Sequence, residues 1–296
     1  MKAGFIGLVG LPNAGKSTLV NALVGEKVGI VSKKPQTTRR RVIGVYTDKE
    51  SQMCFIDAPG RVKAEEGLNH FLEKELDAVI SESDALLAVL NLDAKKFSDL
   101  QEVVELCRNA GRPWAIVINK TDLDPDMREG KLRSEFLSLG VPIISVSALR
   151  KPDALREKVL PILRDMLPES AQPLYAEDLF TTQNTRDLVA EIVREKCFEY
   201  LHQEVPYGLA VRVIKYDESH RMPRIFVEIL VAKENFVSMV VGQGGSMIKR
   251  IGASARIECE RLLGEKLYLE THVKLKKDWT KNPEVMKELG YVITES

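Results

Sequence analysis

The sequence predicts a two-domain protein. A larger α/β domain has a mostly parallel sheet with helices on both faces, and a smaller α+β domain follows. Three observations predict it. The apolar run Gly4-Phe5-Ile6-Gly7-Leu8-Val9 leads through Gly10-Leu11-Pro12-Asn13-Ala14-Gly15-Lys16-Ser17 into a helical stretch, giving strand, glycine-rich loop and helix in succession. Continuous apolar strands then alternate with amphipathic helices as far as residue 168, the pattern of a sheet buried on both faces. Beyond Leu167-Pro168-Glu169-Ser170-Ala171-Gln172-Pro173 the order becomes helix, strand, strand, helix, helix, strand.

Each element has a local reason. The first helix, residues 17–24, is stopped at Gly25. A polar segment, Ser32-Lys33-Lys34-Pro35-Gln36-Thr37-Thr38-Arg39-Arg40-Arg41, precedes short strands at 42–47 and 52–56. Further strands are expected at 85–90, 114–118 and 141–145, with helices near 68–82, 98–110, 127–139 and 153–167. These place the larger domain at 1–168 and a linker at 169–181, leaving 182–296 for the smaller domain and its tail. There, Val189, Val193, Cys197 and Leu201 recur at four-residue spacing beside Leu188 and Ile192, marking a helix over 186–201. Strands at 208–215 and 224–231 and a short helix near 235–240 come next. A helix over 246–263 gathers Ile248, Ile251, Ala255, Cys259 and Leu262 on one face, and a strand at 266–275 closes the order.

Composition excludes several classes. With 44% hydrophobic and 29% charged residues in 296, the chain has the make-up of an ordinary soluble protein. No apolar run is long enough to span a bilayer, and the first residues lead straight into a strand, against a secretory signal. Cys54, Cys107, Cys197 and Cys259 form no C-x-x-C pair, and His70, His202, His220 and His272 are equally scattered. Idle thiols in a reducing cytoplasm are therefore expected, with no disulfide, zinc site or catalytic histidine. The net charge is zero. Residues 221–281 nevertheless hold 12 Lys and Arg against 7 Asp and Glu, a basic zone that suggests RNA.

The loop at 10–17 fits G-x-x-x-x-G-K-[ST] and sits between strand and helix as that motif requires. Successive backbone N–H groups, from Asn13, Ala14 and Gly15 into Lys16, Ser17 and Thr18, can wrap a phosphate at the positive end of the helix. Lys16 is expected to reach the β- and γ-phosphates and Ser17 to ligate Mg²⁺. Asp57-Ala58-Pro59-Gly60 follows a strand, where Asp57 reaches Mg²⁺ through water and the Gly60 region offers a backbone N–H to the γ-phosphate. Asn119-Lys120-Thr121-Asp122 also ends a strand. The Asp122 carboxylate can accept from the N1 and N2 donors of guanine, which adenine does not present, so GTP is preferred over ATP. Lys120 would lay its stem on the base and Asn119 would tie this loop to the phosphate loop. In Ser145-Val146-Ser147-Ala148-Leu149, Ser147 and the Ala148 N–H complete the base site, the latter facing guanine O6.

These four stretches in this order resemble the GTPase superfamily, and G-x-P-N-x-G-K-S with D-x-P-G is similar to its subgroup that acts on ribosomes and RNA. The resemblance implies that Thr38, with Thr37 the alternative, joins Mg²⁺ when GTP is bound. It also implies that residues 30–41 and 57–67 are switches ordered by the γ-phosphate. The signalling members carry a water-orienting glutamine after the glycine of the second motif. Here the residue is Arg61, expected to be solvated, so unaided hydrolysis is expected to be slow. In the resembling subgroup the residue matching Asn13 can hold K⁺, which its amide oxygen suits; a local capping role is the alternative.

In the second domain, Gly242-Gln243-Gly244-Gly245 lies between two helices, with Lys249 and Arg250 one turn into the second. A G-x-x-G turn lets two helix ends approach a nucleic-acid backbone. With its flanks and element order it resembles a bacterial-type (type II) KH domain, which binds about four nucleotides of single strand. The whole chain is similar to bacterial ribosome-assembly GTPases that carry one such domain. That resemblance implies an RNA-binding GTPase that binds the 3′ end of 16S rRNA and assists assembly of the 30S subunit. DNA is not expected as a partner. A cytoplasmic monomer with at most weak peripheral membrane contact is expected. Departures from the family pattern include Leu11, Ala14, Ala58, Arg150-Lys151-Pro152 and Gln243; the last removes one charge from the RNA loop. Two rival readings are a signalling GTPase with a protein-binding second domain and an RNA-binding module with a vestigial nucleotide site.

Overall fold

The computed structural model describes residues 1–292 except 33, 63–65 and 125–126. Lys33 of the first expected switch, residues 63–65 of the second and the last four residues of the second domain lie outside the described residues. The chain divides into two compact units, Met1–Ala64 with Leu72–Thr182, and Glu65–Phe71 with Gln183–Ser296.

The first unit is built on six strands: β1 (Lys2–Gly10), β2 (Val42–Thr47), β3 (Ser51–Asp57), β4 (Ala85–Asn91), β5 (Trp114–Asn119) and β6 (Ile143–Ser145). They lie in the order β2-β3-β1-β4-β5-β6, all parallel except the β2–β3 hairpin. The fully buried β3 and β4 have no polar alternation because both faces of the sheet are covered. On one face, Leu19, Val20 and Leu23 of α1 (Lys16–Val24) and Leu155, Val159 and Leu163 of α5 (Pro152–Met166) pack on Ile6, Leu8, Leu87 and Val117. On the other, α2 (Gly67–Glu82), α3 (Phe97–Asn109) and α4 (Arg128–Phe136) cover Val9, Leu86, Ala88, Ile116 and Ile118. β1, β3, β4 and β5 therefore all deliver their carboxyl ends to one rim, where the motif loops begin. β6 starts at Ile143 rather than at the expected 141.

The segment expected as a linker is hydrogen-bonded to the first unit. Residues 169–182 lie along the first unit, because the polar backbone of this segment satisfies itself on exposed strand edges. Ser170 N–H donates to Met1 O at 2.8 Å, Val45 N–H to Phe180 O at 2.9 Å, and the Thr181 hydroxyl to Ile43 O at 2.9 Å. Gln52 brackets Tyr175, its amide donating to the Tyr175 carbonyl and its oxygen accepting from the Tyr175 N–H. The boundary falls between Thr182 and Gln183.

In the second unit α6 (Thr185–Tyr200), β7 (Leu209–Asp217), β8 (Arg224–Val231), α7 (Glu234–Val241), α8 (Ser246–Leu263) and β9 (Tyr268–Leu275) follow the expected order. The sheet runs β7-β8-β9, antiparallel then parallel. Ile225, Val227 and Ile229 point to the helices, meeting Val189, Val193 and Cys197 of α6, Val240 of α7 and Ile251, Ala255 and Cys259 of α8. The tail is packed as well. Trp279 is fully buried, its indole N–H donating to Gly208 O at 2.9 Å, and a short helix α9 (Pro283–Glu288), absent from the sequence expectations, follows it. All four cysteines are buried as free thiols.

Candidate nucleotide site and nucleic-acid interface

The phosphate loop leaves β1 at Gly10 and enters α1 at Lys16. Lys16 is buried, and its ammonium donates to Gly10 O and Leu11 O, both at 3.1 Å, so it sits inside the curve of the loop. Burial pushes it down to about 8, with the Asp57 carboxylate working the other way. A polyphosphate beside it favours the charged form and restores it. Three oxygens converge next to this lysine. The Ser17 hydroxyl donates to Asp57 Oδ2 at 2.6 Å, the Thr38 hydroxyl to the same oxygen at 3.1 Å, and the two hydroxyls lie 3.0 Å apart. Thr37 is turned away, donating to Lys34 O at 2.7 Å, so Thr38 is the threonine at this cluster. Small, hard oxygen donors of this kind suit Mg²⁺, which takes one or two protein ligands and completes its shell with phosphate and water. No group of three or more His, Cys, Asp or Glu among the described residues offers another metal site.

The turn after β3 rests directly on the phosphate loop. Arg61 N–H donates to Gly10 O at 3.2 Å. A Cβ at Gly60 would lie 2.5 Å from Pro12 N and 2.6 Å from Pro12 Cα, a backbone approach that only glycine allows. The Arg61 side chain was expected in solvent; it pairs instead with Glu102 on α3 at 2.8 Å. Arg41, at the end of the first switch, pairs with Glu82 of α2, and its N–H donates to Glu75 at 3.3 Å, tying the first switch to α2. Asn13 adopts a left-handed backbone, φ 64°. Thr18 follows Ser17 in the first turn of α1.

At the base end Asn119 joins three loops. Its amide donates to Ala14 O at 3.0 Å and its oxygen accepts from Ala148 N–H at 3.2 Å. The Ala148 amide expected at guanine O6 is thus directed at Asn119 in the structure. Lys120 pairs with both oxygens of Asp93, at 2.9 and 3.1 Å, which fixes its stem. Burial works to raise the Asp93 carboxyl, but the Asn91 amide and Lys120 outweigh it and hold it below the usual range. Asp122 Oδ1 accepts from the Ser147 hydroxyl at 2.5 Å and its Oδ2 lies 4.0 Å from Arg150, so Ser147 orients the carboxylate. Asp93 escaped the sequence reading, although Asn91-Leu92-Asp93 ends a strand in the same register as Asn119.

In the second unit Gly242, Gly244 and Gly245 all have positive φ, and Gln243 and Gly244 are exposed. At Gly242 (φ 72°) a Cβ would meet Met247 N at 2.8 Å and Met247 Cβ at 2.7 Å, so the turn into α8 requires glycine. Lys249 is exposed on α8. The Arg250 guanidinium lies over the Tyr200 ring of α6, 4.3 Å from its centroid, a cation–π contact that the sequence did not disclose.

A phosphate loop, a hydroxyl–carboxylate cluster beside it and a carboxylate held by Ser147, all on the rim of one sheet, make the arrangement of a P-loop GTPase, here followed by a small α+β domain. The model of 50S ribosome-binding GTPases matches residues 5–120, and the KH domain model matches residues 204–280. GTPase Era of Neisseria meningitidis serogroup C is 36% identical over 298 residues, covering 98% of this chain and 94% of its own. GTPase Era of Chromobacterium violaceum is 37% identical over 293 residues, covering 97% of each. Among solved structures, a point variant of Aquifex aeolicus Era bound to GDP·AlF4⁻ superposes with a TM-score of 0.91 at 34% identity, covering 99% of this chain and 100% of that one. Era in complex with MgGDPNP and nucleotides 1506–1542 of 16S ribosomal RNA gives 0.90 at 34% identity and 99% of both chains. The chain belongs to the GTPase Era family, and it is a GTPase with a C-terminal KH domain.

Proposed function

We propose that this GTPase binds the 3′ end of 16S rRNA through its KH domain and uses GTP to time that contact during assembly of the 30S subunit. The convergence of Ser17, Thr38 and Asp57 beside Lys16 carries the nucleotide half of the reading. The Gly242–Gly245 turn between α7 and α8, exposed at Gln243 and Gly244, supports the RNA half, as does similarity to an Era bound at once to MgGDPNP and a 16S fragment.

In this reading Ser17 and Thr38 hold Mg²⁺ directly and Asp57 holds it through water. Mg²⁺ neutralises charge on the β- and γ-phosphates. The Asn13–Thr18 amides and Lys16 cradle the polyphosphate, and a backbone N–H at Gly60 meets the γ-phosphate. Asn119, Lys120, Asp122, Ser147 and Ala148 hold guanine. Asn13 offers its amide oxygen to a K⁺ ion, which would add positive charge at the phosphates. Gly242, Gln243, Gly244 and Gly245 face the RNA backbone, and Lys249 and Arg250 add charge. Thr38 lies within the first switch, so γ-phosphate binding orders that segment and hydrolysis releases it. If GTP and RNA each favour the same state, each tightens the other by the same factor. The protein acts as a cytoplasmic monomer with weak peripheral membrane contact at most. Among the described residues no helix is long and apolar enough to cross a membrane.

GTP hydrolysis measured with and without single-stranded RNA of the 16S 3′ end, in K⁺ and in Na⁺, beside Gly242→Asp, tests this reading. Stimulation that the variant loses is the expected result, with faster turnover in K⁺. Hydrolysis indifferent to RNA would leave a GTPase whose second domain serves a protein partner.

A further inference from the structure

Arg61 stands after Gly60, where a water-orienting glutamine sits in signalling GTPases, and the structure gives it a defined place. Its guanidinium pairs with Glu102 Oε2 at 2.8 Å, the arginine side chain 20% and the glutamate 46% exposed. Its backbone is anchored on the phosphate loop. Arg61 N–H donates to Gly10 O at 3.2 Å, and Lys16 Nζ donates to that same oxygen at 3.1 Å, which puts the Lys16 ammonium within about 6 Å of the Arg61 nitrogen. An extended arginine side chain covers that span. Gly60 lies against Pro12 beside this anchor. The partner of Arg61, Glu102, lies on the exposed side of α3, and a pair of this exposure is a weak restraint.

We propose that Arg61 is an arginine supplied in cis to the γ-phosphoryl group, held by Glu102 between turnovers and released to the phosphate when Mg²⁺ and GTP bind. The inference rests on the GTP-hydrolysing role given above. Two physical facts favour this exchange. The γ-phosphate with its neighbours carries more negative charge than one carboxylate, and the guanidinium fork fits phosphate oxygens in a bidentate way. In the reaction the water oxygen bonds to the γ-phosphorus as the bond from that phosphorus to the β–γ bridging oxygen breaks. GDP leaves with the electron pair; one water proton stays on the phosphate product and the other passes to solvent. Arg61 transfers no proton. It donates hydrogen bonds to the charge that develops on the transferring group, the part that arginines in cis or in trans take in other P-loop GTPases.

The test compares the full-length protein with Arg61→Ala, Arg61→Lys and Glu102→Gln. It reads single-turnover GTP hydrolysis, the affinity for GDP, and the affinity for GDP in the presence of AlF4⁻. Arg61→Ala is expected to slow hydrolysis about tenfold or more and to lose the tightening by AlF4⁻, while GDP affinity stays within about twofold. Arg61→Lys, which keeps the charge without the fork, falls between. Glu102→Gln hydrolyses at least as fast as the parent because it frees the guanidinium. Parent-like hydrolysis with an intact AlF4⁻ complex in Arg61→Ala would overturn the proposal. So would a parallel loss of GDP affinity, which would make Arg61 a loop support, or slowing by Glu102→Gln to the level of Arg61→Ala. Failure of the parent itself to turn over GTP would instead count against the activity on which the inference rests.

Discussion

At the scale of single residues, the site is a set of side chains that hold one another before they hold a ligand. Asp122 illustrates this. Ser147 fixes its Oδ1, and the proposed role of this carboxylate is to accept two donors of a base. Guanine supplies those donors and xanthine presents a carbonyl in place of one. Asp122→Asn is therefore expected to weaken GTP binding about a thousandfold or more and to favour xanthosine triphosphate, read by competition for a fluorescent nucleotide. Retained GTP affinity would show that the base is held elsewhere. Asn119 does a different job, spanning Ala14 and Ala148. Asn119→Ala leaves a buried carbonyl and a buried amide without their partner, and is expected to cost about 2 kcal/mol of stability by urea unfolding as well as nucleotide affinity. A loss of affinity with unchanged stability would contradict that account.

Elements add constraints that no side chain carries alone. The turn between β2 and β3 is stapled to α5 by Arg164, which pairs with Asp48 at 2.7 Å and with Glu50. Burial works to raise the Asp48 carboxyl, but the Glu50 and Ser51 N–H groups, the Ser51 hydroxyl and Arg164 outweigh it and keep it below the ordinary range. A carboxyl that ionises more readily folded than unfolded stabilises the fold fully above the unfolded value. That contribution is lost as pH falls through the lowered folded one. Asp48→Asn, which keeps the acceptor and drops the charge, should lower the melting temperature near pH 7 and lose that effect at about pH 2. An equal difference at both values would mean the charge is irrelevant. The turn between α7 and α8 makes the parallel case for backbone. Gly242→Ala puts a Cβ on Met247 at positive φ, so single-stranded RNA binding should fall about tenfold while GDP affinity, measured beside it, is unchanged. Unaltered RNA affinity would place the interface away from this turn.

For the whole molecule, the boundary between units has a measurable consequence. The first unit keeps residues 169–182 on its strand edges through hydrogen bonds from Ser170, Val45, Thr181 and Gln52. A fragment ending at residue 182 should therefore be more stable than one ending at 168 by about 2–4 kcal/mol in urea unfolding, with hydrogen bonds worth about 1 kcal/mol each. Equal stability would restore 169–181 as a linker. The sequence already carried much of this architecture. Strand β8 and helix α8 occupy the residues their periodicity marks out, because one buried face dictates spacing of two or of 3.6. The loops at Gly10–Ser17, Asp57–Gly60, Asn119–Asp122 and Gly242–Gly245 fall at the strand and helix ends that the sequence marks for them, since strong local motifs fix where the chain turns. Only the tertiary structure decided which distant groups meet. It paired Lys120 with Asp93 and Arg61 with Glu102, laid Arg250 on Tyr200, and bound the expected linker to β2 and β3. Periodicity and motifs report what a residue requires of its immediate neighbours. A pairing between distant elements leaves no such local mark, because it is set by the packing of whole elements.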